Sequence, residues 1–343
     1  MRAEDQLLFL STRQDFLDQH KNEVIELVEN HPIQWDTVYW AAEQHGVAPL
    51  VYVNLIYKSN MQLNIPPAVI NQFKVHTFQQ IVSQDKRAER LSNSIDFFQK
   101  YHMQVMLVKG IALENAVYDY PWYTVSKDID IILDRKQESI SAQELAEFRR
   151  HFHRSGIEFD FFHHHDINMN GAVPVDFDRV WSDAKNINIY GHNVYVMSPE
   201  DLLISICINS CRKRYFRLKS LFDIAETTHK YKDLNWDEFV VKARAYDCSA
   251  IVYTALQISD ITVGCSLPVD LLRSLRIGKR RARIIDSTTR YLLDNYALSA
   301  YPFSGPKIFG RQINISLILP YISYRGYQIW RKAGEIRENR KNN

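Results

Sequence analysis

Apolar residues recur every three or four positions from Gln6 to about Lys100, in "DFLDQHKNEVIELVEN", "WDTVYWAAEQHGVAPLVYVNLIY" and "PAVINQFKVHTFQQIVSQDKRAERLSNSIDFFQKY". That period is the mark of helices with one buried stripe. Pro66 and Pro67 open the last stretch, as prolines do at a first helical turn. The pattern then shortens. "QVMLVKG" (104–110) reads as a strand ending in Lys-Gly, "IALENAVYDY" as a helix and "DIDIILD" as a second strand. A helix is expected from Ser141 to His153. "IEFDFFHHHDINMN" and "AVPVDFDRV" read as two further strands joined through Asn170-Gly171, and "INIYGHNVYVM" as a hairpin turning at Gly191 and His192.

From Ser198 the helical period returns. "SPED" is a capping-box pattern with Pro199 at the first helical position. Helical stretches follow through "LFDIAETTHKY", "WDEFVVKARAYDCSAIVYTALQIS", "LPVDLLRSLRI" and "RARIIDSTTRYLLDNYAL". The expected fold is α+β: a small mixed sheet flanked by helical regions. Its expected parts are a helical N-terminal region (1–100), a core (101–197) and a helical C-terminal region with a basic tail (198–343). No internal repeat is evident.

With 343 residues, 46% of them hydrophobic, the chain can bury a substantial core, and 11 Gly and 11 Pro fit neither a disordered nor a collagen-like composition. Four scattered cysteines do not make a secreted framework; Cys207 and Cys211 lie one helical turn apart, without the further ligands of a zinc site. No leader pattern and no membrane-length apolar run is read, so a cytoplasmic location is expected. Charge is uneven: residues 198–343 carry 24 Lys and Arg against 14 Asp and Glu, the preceding residues 18 against 26. A basic second half suits polyanions such as nucleotide phosphates, although solvated helix faces explain most such charge. No nucleic-acid-binding motif stands out.

The sharpest chemistry lies in "SKDIDIIL". Side chains at i and i+2 of a strand share a face, so Asp128 and Asp130 stand side by side and repel unless neutralised. A hard divalent cation, Mg²⁺ or Mn²⁺, satisfies two such carboxylates and recruits phosphates. "VDFDRV" repeats the spacing at Asp176 and Asp178, and one of these could complete a three-carboxylate cluster. Upstream, Lys109-Gly110 joins a strand to a helix start, where free N–H groups and an ammonium suit phosphate. "CRKRYFRLK" adds Arg212, Lys213, Arg214, Arg217 and Lys219 at helical spacing. His151, His153, His163, His164 and His165 cluster near the core, but alternation along a strand turns at most two of the three consecutive ones the same way.

"LVKGIALENAVYDYPWYTVSKDIDIILD" followed by "VPVDFDRVW" resembles the polymerase-β-like nucleotidyltransferase superfamily, and more narrowly the bacterial family called uncharacterised nucleotidyltransferases. The resemblance extends to "AEQHGVAPLVYVNL" and "SPEDLLISI … RLKSLFDIAE", over about residues 5 to 230. It implies a metal-dependent transfer of a nucleoside monophosphate from an NTP to an acceptor hydroxyl, with release of pyrophosphate. Asp128 and Asp130 become metal ligands, and Asp176 the third, able to help deprotonate the acceptor. Lys109, Gly110, Ser126, Lys127, Lys213 and Arg217 are the expected nucleotide neighbours. The acceptor stays open among protein, small molecule, sugar and RNA. Two positions depart from the family pattern: Asp178 stands where a histidine is frequent, and Thr124 where an arginine is. The competing readings are a D-x-D glycosyltransferase using a sugar nucleotide, whose hydrophobic strand characteristically precedes the acids, and an inactive adaptor of the same fold. In the adaptor the apolar, basic tail "ISLILPYISYRGYQIWRKAGEIRENRK" could make peripheral membrane contact.

Overall fold

The computed structural model describes residues 1–58, 60–124, 128–134, 141, 143–144, 146–147, 150, 158–161, 169, 173–213, 215, 217–295 and 298. The N-terminal helices are α1 (Ala3–Ser11), α2 (Asp18–Asn30), α3 (Trp35–His45), α4 (Ala48–Tyr52), which runs on into a π-turn at Val53–Tyr57, and the long α5 (Pro67–Lys100). Gly46 ends α3 in the left-handed region, at φ 74, and its N–H closes onto the Ala42 and Glu43 carbonyls. Helix α5 buries Val69, Phe73 and Thr77 along its first half and Arg87, Leu91, Ile95 and Phe98 along its second. These positions recur at the three- and four-residue spacing that puts side chains on one helical face.

A five-stranded sheet follows: β1 (Val105–Leu107), β2 (Asp128–Leu133), β3 (Glu158–Phe161), β4 (Lys185–Ile189) and β5 (His192–Val196), in the order β3-β2-β1-β5-β4. Strand β1 runs antiparallel to β2 and parallel to β5, while β2 and β3 are parallel. Val105, Met106 and Leu107 of β1 are all buried, and so is β2 after its first residue. Their near-continuous apolar sequence reflects strands covered on both faces. Helix α6 (Lys109–Ala116) packs on β2, and α5 lies against β5.

Three local expectations change. The β4–β5 loop is Tyr190-Gly191, both at positive φ (51° and 85°), with Ile189 and His192 as the closing pair. The turn therefore sits one residue earlier than Gly191-His192, because a two-residue hairpin needs left-handed backbone at both central positions. "AVPVDFDRV" is not a strand: residues 177–183 form α7 (Phe177–Asp183), and the Asp176 side chain caps it by accepting from the Arg179 N–H at 3.1 Å. The run is short, and Phe177, Val180 and Trp181 satisfy helical spacing as well as the preceding alternation satisfied a strand. The stretch from Trp236 is two helices, broken where Asp247 takes φ 47. The expected helix at 141–153 lies largely outside the described residues.

The C-terminal helices are α8 (Pro199–Arg212), α9 (Leu218–Lys230), α10 (Trp236–Ala245), α11 (Ser249–Val263), the single turn α12 (Leu271–Ser274) and α13 (Lys279–Asn295). As its sequence predicts, α8 starts at Ser198, whose Oγ accepts from the Asp201 N–H at 3.2 Å and donates to its carboxylate at 2.9 Å. Helix α9 is buried at every position from Leu218 to Thr228, which makes it the central helix of this region. Buried residues from Leu7 to Leu298 form one apolar cluster spanning all three parts of the chain. Among the described residues no helix is long and apolar enough to cross a membrane.

Candidate active site

Strand β1 ends at Leu107 and the chain enters α6 through Val108 and Lys109. Val108 is extended and its N–H donates to the Asp130 carbonyl at 3.2 Å, so the turn is sewn to β2. Lys109 then takes φ 55. The left-handed residue of this turn is the lysine rather than Gly110, an arrangement that costs about 1 kcal/mol or more for a side chain with a Cβ. It aims the ammonium back over the sheet: Lys109 Nζ lies 2.5 Å from Asp130 Oδ1. Asp130 is buried and Asp128, two residues earlier on the same face, is half-buried.

Lys213, just after α8, is exposed and yet held below the ordinary lysine range. Desolvation of its position is the largest cause; the cations Arg217, Arg212 and Lys109 push the same way, and Asp128 opposes them. Lys213 therefore shares one neighbourhood with Asp128, Lys109 and Arg217, four charged groups from four places in the chain. Arg217 is the N-terminal cap residue of α9. The expected unbroken basic helix face is absent: α8 stops at Arg212, Tyr215 turns with φ 62 and is fully buried, and α9 starts at Leu218. Burying the Tyr215 ring breaks the helix and brings Lys213 and Arg217 together from two helix ends. Arg214, Ser126 and Lys127 lie outside the described residues, as do His151, His153, His163, His164 and His165.

Lys219 is not at the surface. It is buried, donating to Thr124 Oγ1 at 2.9 Å and to the Asp223 carboxylate at 3.2 and 3.4 Å. The Tyr118 hydroxyl donates to the same carboxylate, and burial followed by the Asp223 charge pushes that phenol well above its usual range. Thr124 stands four residues before Asp128, so a buried ammonium from α9 anchors the entry to the acidic strand. Beneath α6, the buried Glu114 accepts from Arg87 of α5 at 3.3 Å through both oxygens.

Asp176 caps α7 and lies near enough to Tyr246 to help raise that phenol. Among the described residues no three His, Cys, Asp or Glu side chains gather closely enough to hold a metal ion. The β2–β3 register pairs the backbone of Asp128 with Glu158 and of Asp130 with Asp160. Sequence reasoning passed over Asp160, although "EFD" carries the same i, i+2 acidic spacing that marked "DID". Cys207, Cys211 and Cys248 are buried free thiols, and burial pushes Cys211 up to about 11.

A family model described as uncharacterised nucleotidyltransferase matches residues 31–264, which includes every one of these groups. No curated protein and no solved structure matches the chain.

Proposed function

We propose, since the chain belongs to the uncharacterised nucleotidyltransferase family, that it transfers a nucleoside monophosphate from an NTP to an acceptor hydroxyl. The observation that carries this reading is one acidic pair at the start of β2, in which Asp130 pairs with Lys109 while Asp128 lies near enough to Lys213 to act on its charge, as Arg217 does in turn. Adjacent carboxylates and converging cations are what a triphosphate with its counter-ion requires.

The donor set fits a hard divalent ion, Mg²⁺ or Mn²⁺, because carboxylate oxygens are the ligands such ions prefer. Asp128 and Asp130 would hold it; Asp176, the third ligand that the family resemblance implies, caps α7 and does not gather with them. When bound, such an ion supplies charge stabilisation at the reacting phosphorus. Lys109 neutralises Asp130 in the structure, and in substrate binding its ammonium turns toward phosphate oxygen. Lys213 and Arg217 hold the triphosphate, Arg217 by its planar fork and Lys213 as a point charge. Transfer forms a bond from the acceptor oxygen to the α-phosphorus and breaks the bond from that phosphorus to the bridging oxygen, which leaves with pyrophosphate. The acceptor proton passes to a carboxylate, Asp176 by family resemblance.

A second reading, an adaptor that binds nucleotide without transferring it, is favoured by one observation: the Asp176 side chain is engaged in capping α7. Both are tested by incubating the protein with each α-labelled NTP, Mg²⁺ or Mn²⁺ and a cell lysate, and following the label. Transfer that needs Asp128, Asp130 and Asp176 supports the enzyme. Label that moves equally well in Asp128→Asn and Asp130→Asn excludes it.

A further inference from the structure

Three aromatic rings pack together at the turn that precedes the acidic strand, and a second, stacked pair stands next to the lysine that covers one of them. Residues 121–123 form a 3-10 turn in which Tyr120, Trp122 and Tyr123 pack on one another, with ring centroids 5.1 to 5.4 Å apart. Across from it, Lys58 places its ammonium 5.3 Å from the centre of the Tyr120 ring. Its neighbour Tyr57 stacks on Tyr52, at 6.1 Å and 24°. Tyr123 is buried and fixes the cluster, whereas Tyr57 is 70% exposed and Tyr120 44% exposed. Phenol rings left this open, stacked and braced by a lysine, do not serve a core.

Two further observations point outward from the fold. Tyr57 closes the π-turn at Val53–Tyr57, a widened turn of a kind found frequently at functional sites. The chain also ties the platform to the proposed phosphate site by two routes. Tyr123 is five residues from Asp128, a span of at most about 18 Å. Thr124, next to Tyr123, is bonded to Lys219, two residues along α9 from Arg217.

We propose that Tyr57 and Tyr120, with Trp122 beside them and Lys58 at their edge, bind the nucleobase of the molecule that receives the nucleotidyl group. This rests on the transfer reading above. Every nucleobase has a π-face that stacks on tyrosine or tryptophan, and an ammonium beside the rings suits the phosphate next to that base. A planar base also explains why the patch is aromatic rather than aliphatic. The base can belong to a free nucleotide or to the 3′ end of a polynucleotide; the chemistry of recognition is the same.

The test is calorimetric binding of AMP, of a short oligoadenylate with a free 3′-hydroxyl, and of ribose 5-phosphate, each measured with and without a non-hydrolysable ATP analogue filling the donor site. Tyr57→Ala/Tyr120→Ala is expected to weaken the base-carrying probes about 5- to 150-fold. It is expected to leave ribose 5-phosphate unchanged, and Tyr57→Phe/Tyr120→Phe to restore binding, because the ring and not the hydroxyl stacks. Preference for AMP or for the oligoadenylate identifies the source of the base. Equal affinities in wild type and the alanine variant, or an equal loss for ribose 5-phosphate, overturn the proposal. The transfer reading is judged separately: base binding at the platform in a protein that moves no label keeps the platform and removes the transfer.

Discussion

Replacing Lys219 by Met tests how the acidic strand is held. The ammonium and its partners are almost dry: Lys219 is 7% exposed, Asp223 4% and Thr124 0%. Removing the cation leaves the Asp223 carboxylate buried with only the Tyr118 hydroxyl described beside it, and deprives Thr124 Oγ1 of its donor. Breaking one side of a buried pair costs about 3–5 kcal/mol, far more than the net worth of the pair. At about 2 °C per kcal/mol for a large chain, the melting temperature falls by about 6–10 °C. Lys219→Met/Asp223→Asn removes both charges and should recover about 1–3 kcal/mol of the loss. Urea and thermal unfolding of wild type, both single variants and the double variant measure this coupling. Additive single effects, or a Lys219→Met shift under about 2 °C, refute the reasoning.

The remaining predictions are independent of that network. Asp128→Asn and Asp130→Asn should abolish transfer while circular dichroism stays native, because Asp128 is half-buried and Asp130 keeps a Lys109 partner through its amide oxygen; activity near wild type in both contradicts the site. His45 accepts from the Leu218 N–H at 2.9 Å and its other nitrogen donates to the Leu298 carbonyl at 2.9 Å, and burial pulls its ring down to about 4. The unfolded ring, near 6.5, binds the proton more readily, so stability is complete above about pH 6.5 and falls as pH drops toward 4, by about 3 kcal/mol. His45→Gln should flatten that slope in urea titrations, and an unchanged slope counts against it. Ser198→Ala, which deletes the α8 cap, should cost about 0.5–2 kcal/mol of unfolding free energy. Cys207, Cys211 and Cys248 should react with a thiol reagent only after unfolding; fast labelling of any of them in the native protein contradicts their burial.

What the chain discloses unaided is local. The pair Asp128 and Asp130 is legible because strand alternation is a property of adjacent residues, and α8 is legible because Ser198, Pro199 and Asp201 carry its cap in four positions. Helix α7 was hidden because a nine-residue run can satisfy both periods, and only the Asp176 cap decides between them. The basic stretch was misjudged for a non-local reason: what breaks it is the burial of Tyr215, which depends on neighbours elsewhere in the fold. The bond from Lys219 to Thr124 joins residues 95 positions apart, and the alignment of Asp160 with Asp130 is a matter of strand register; neither leaves a mark in the sequence between them.

The central claim is that Asp128 and Asp130 hold a divalent cation against a triphosphate. Titrating Mn²⁺ into the protein by electron paramagnetic resonance, with and without a non-hydrolysable NTP analogue, tests it most directly. Wild-type protein should immobilise Mn²⁺ more tightly when the analogue is present, and Asp128→Asn/Asp130→Asn should lose that tight site. Identical Mn²⁺ binding by the two proteins would contradict the account.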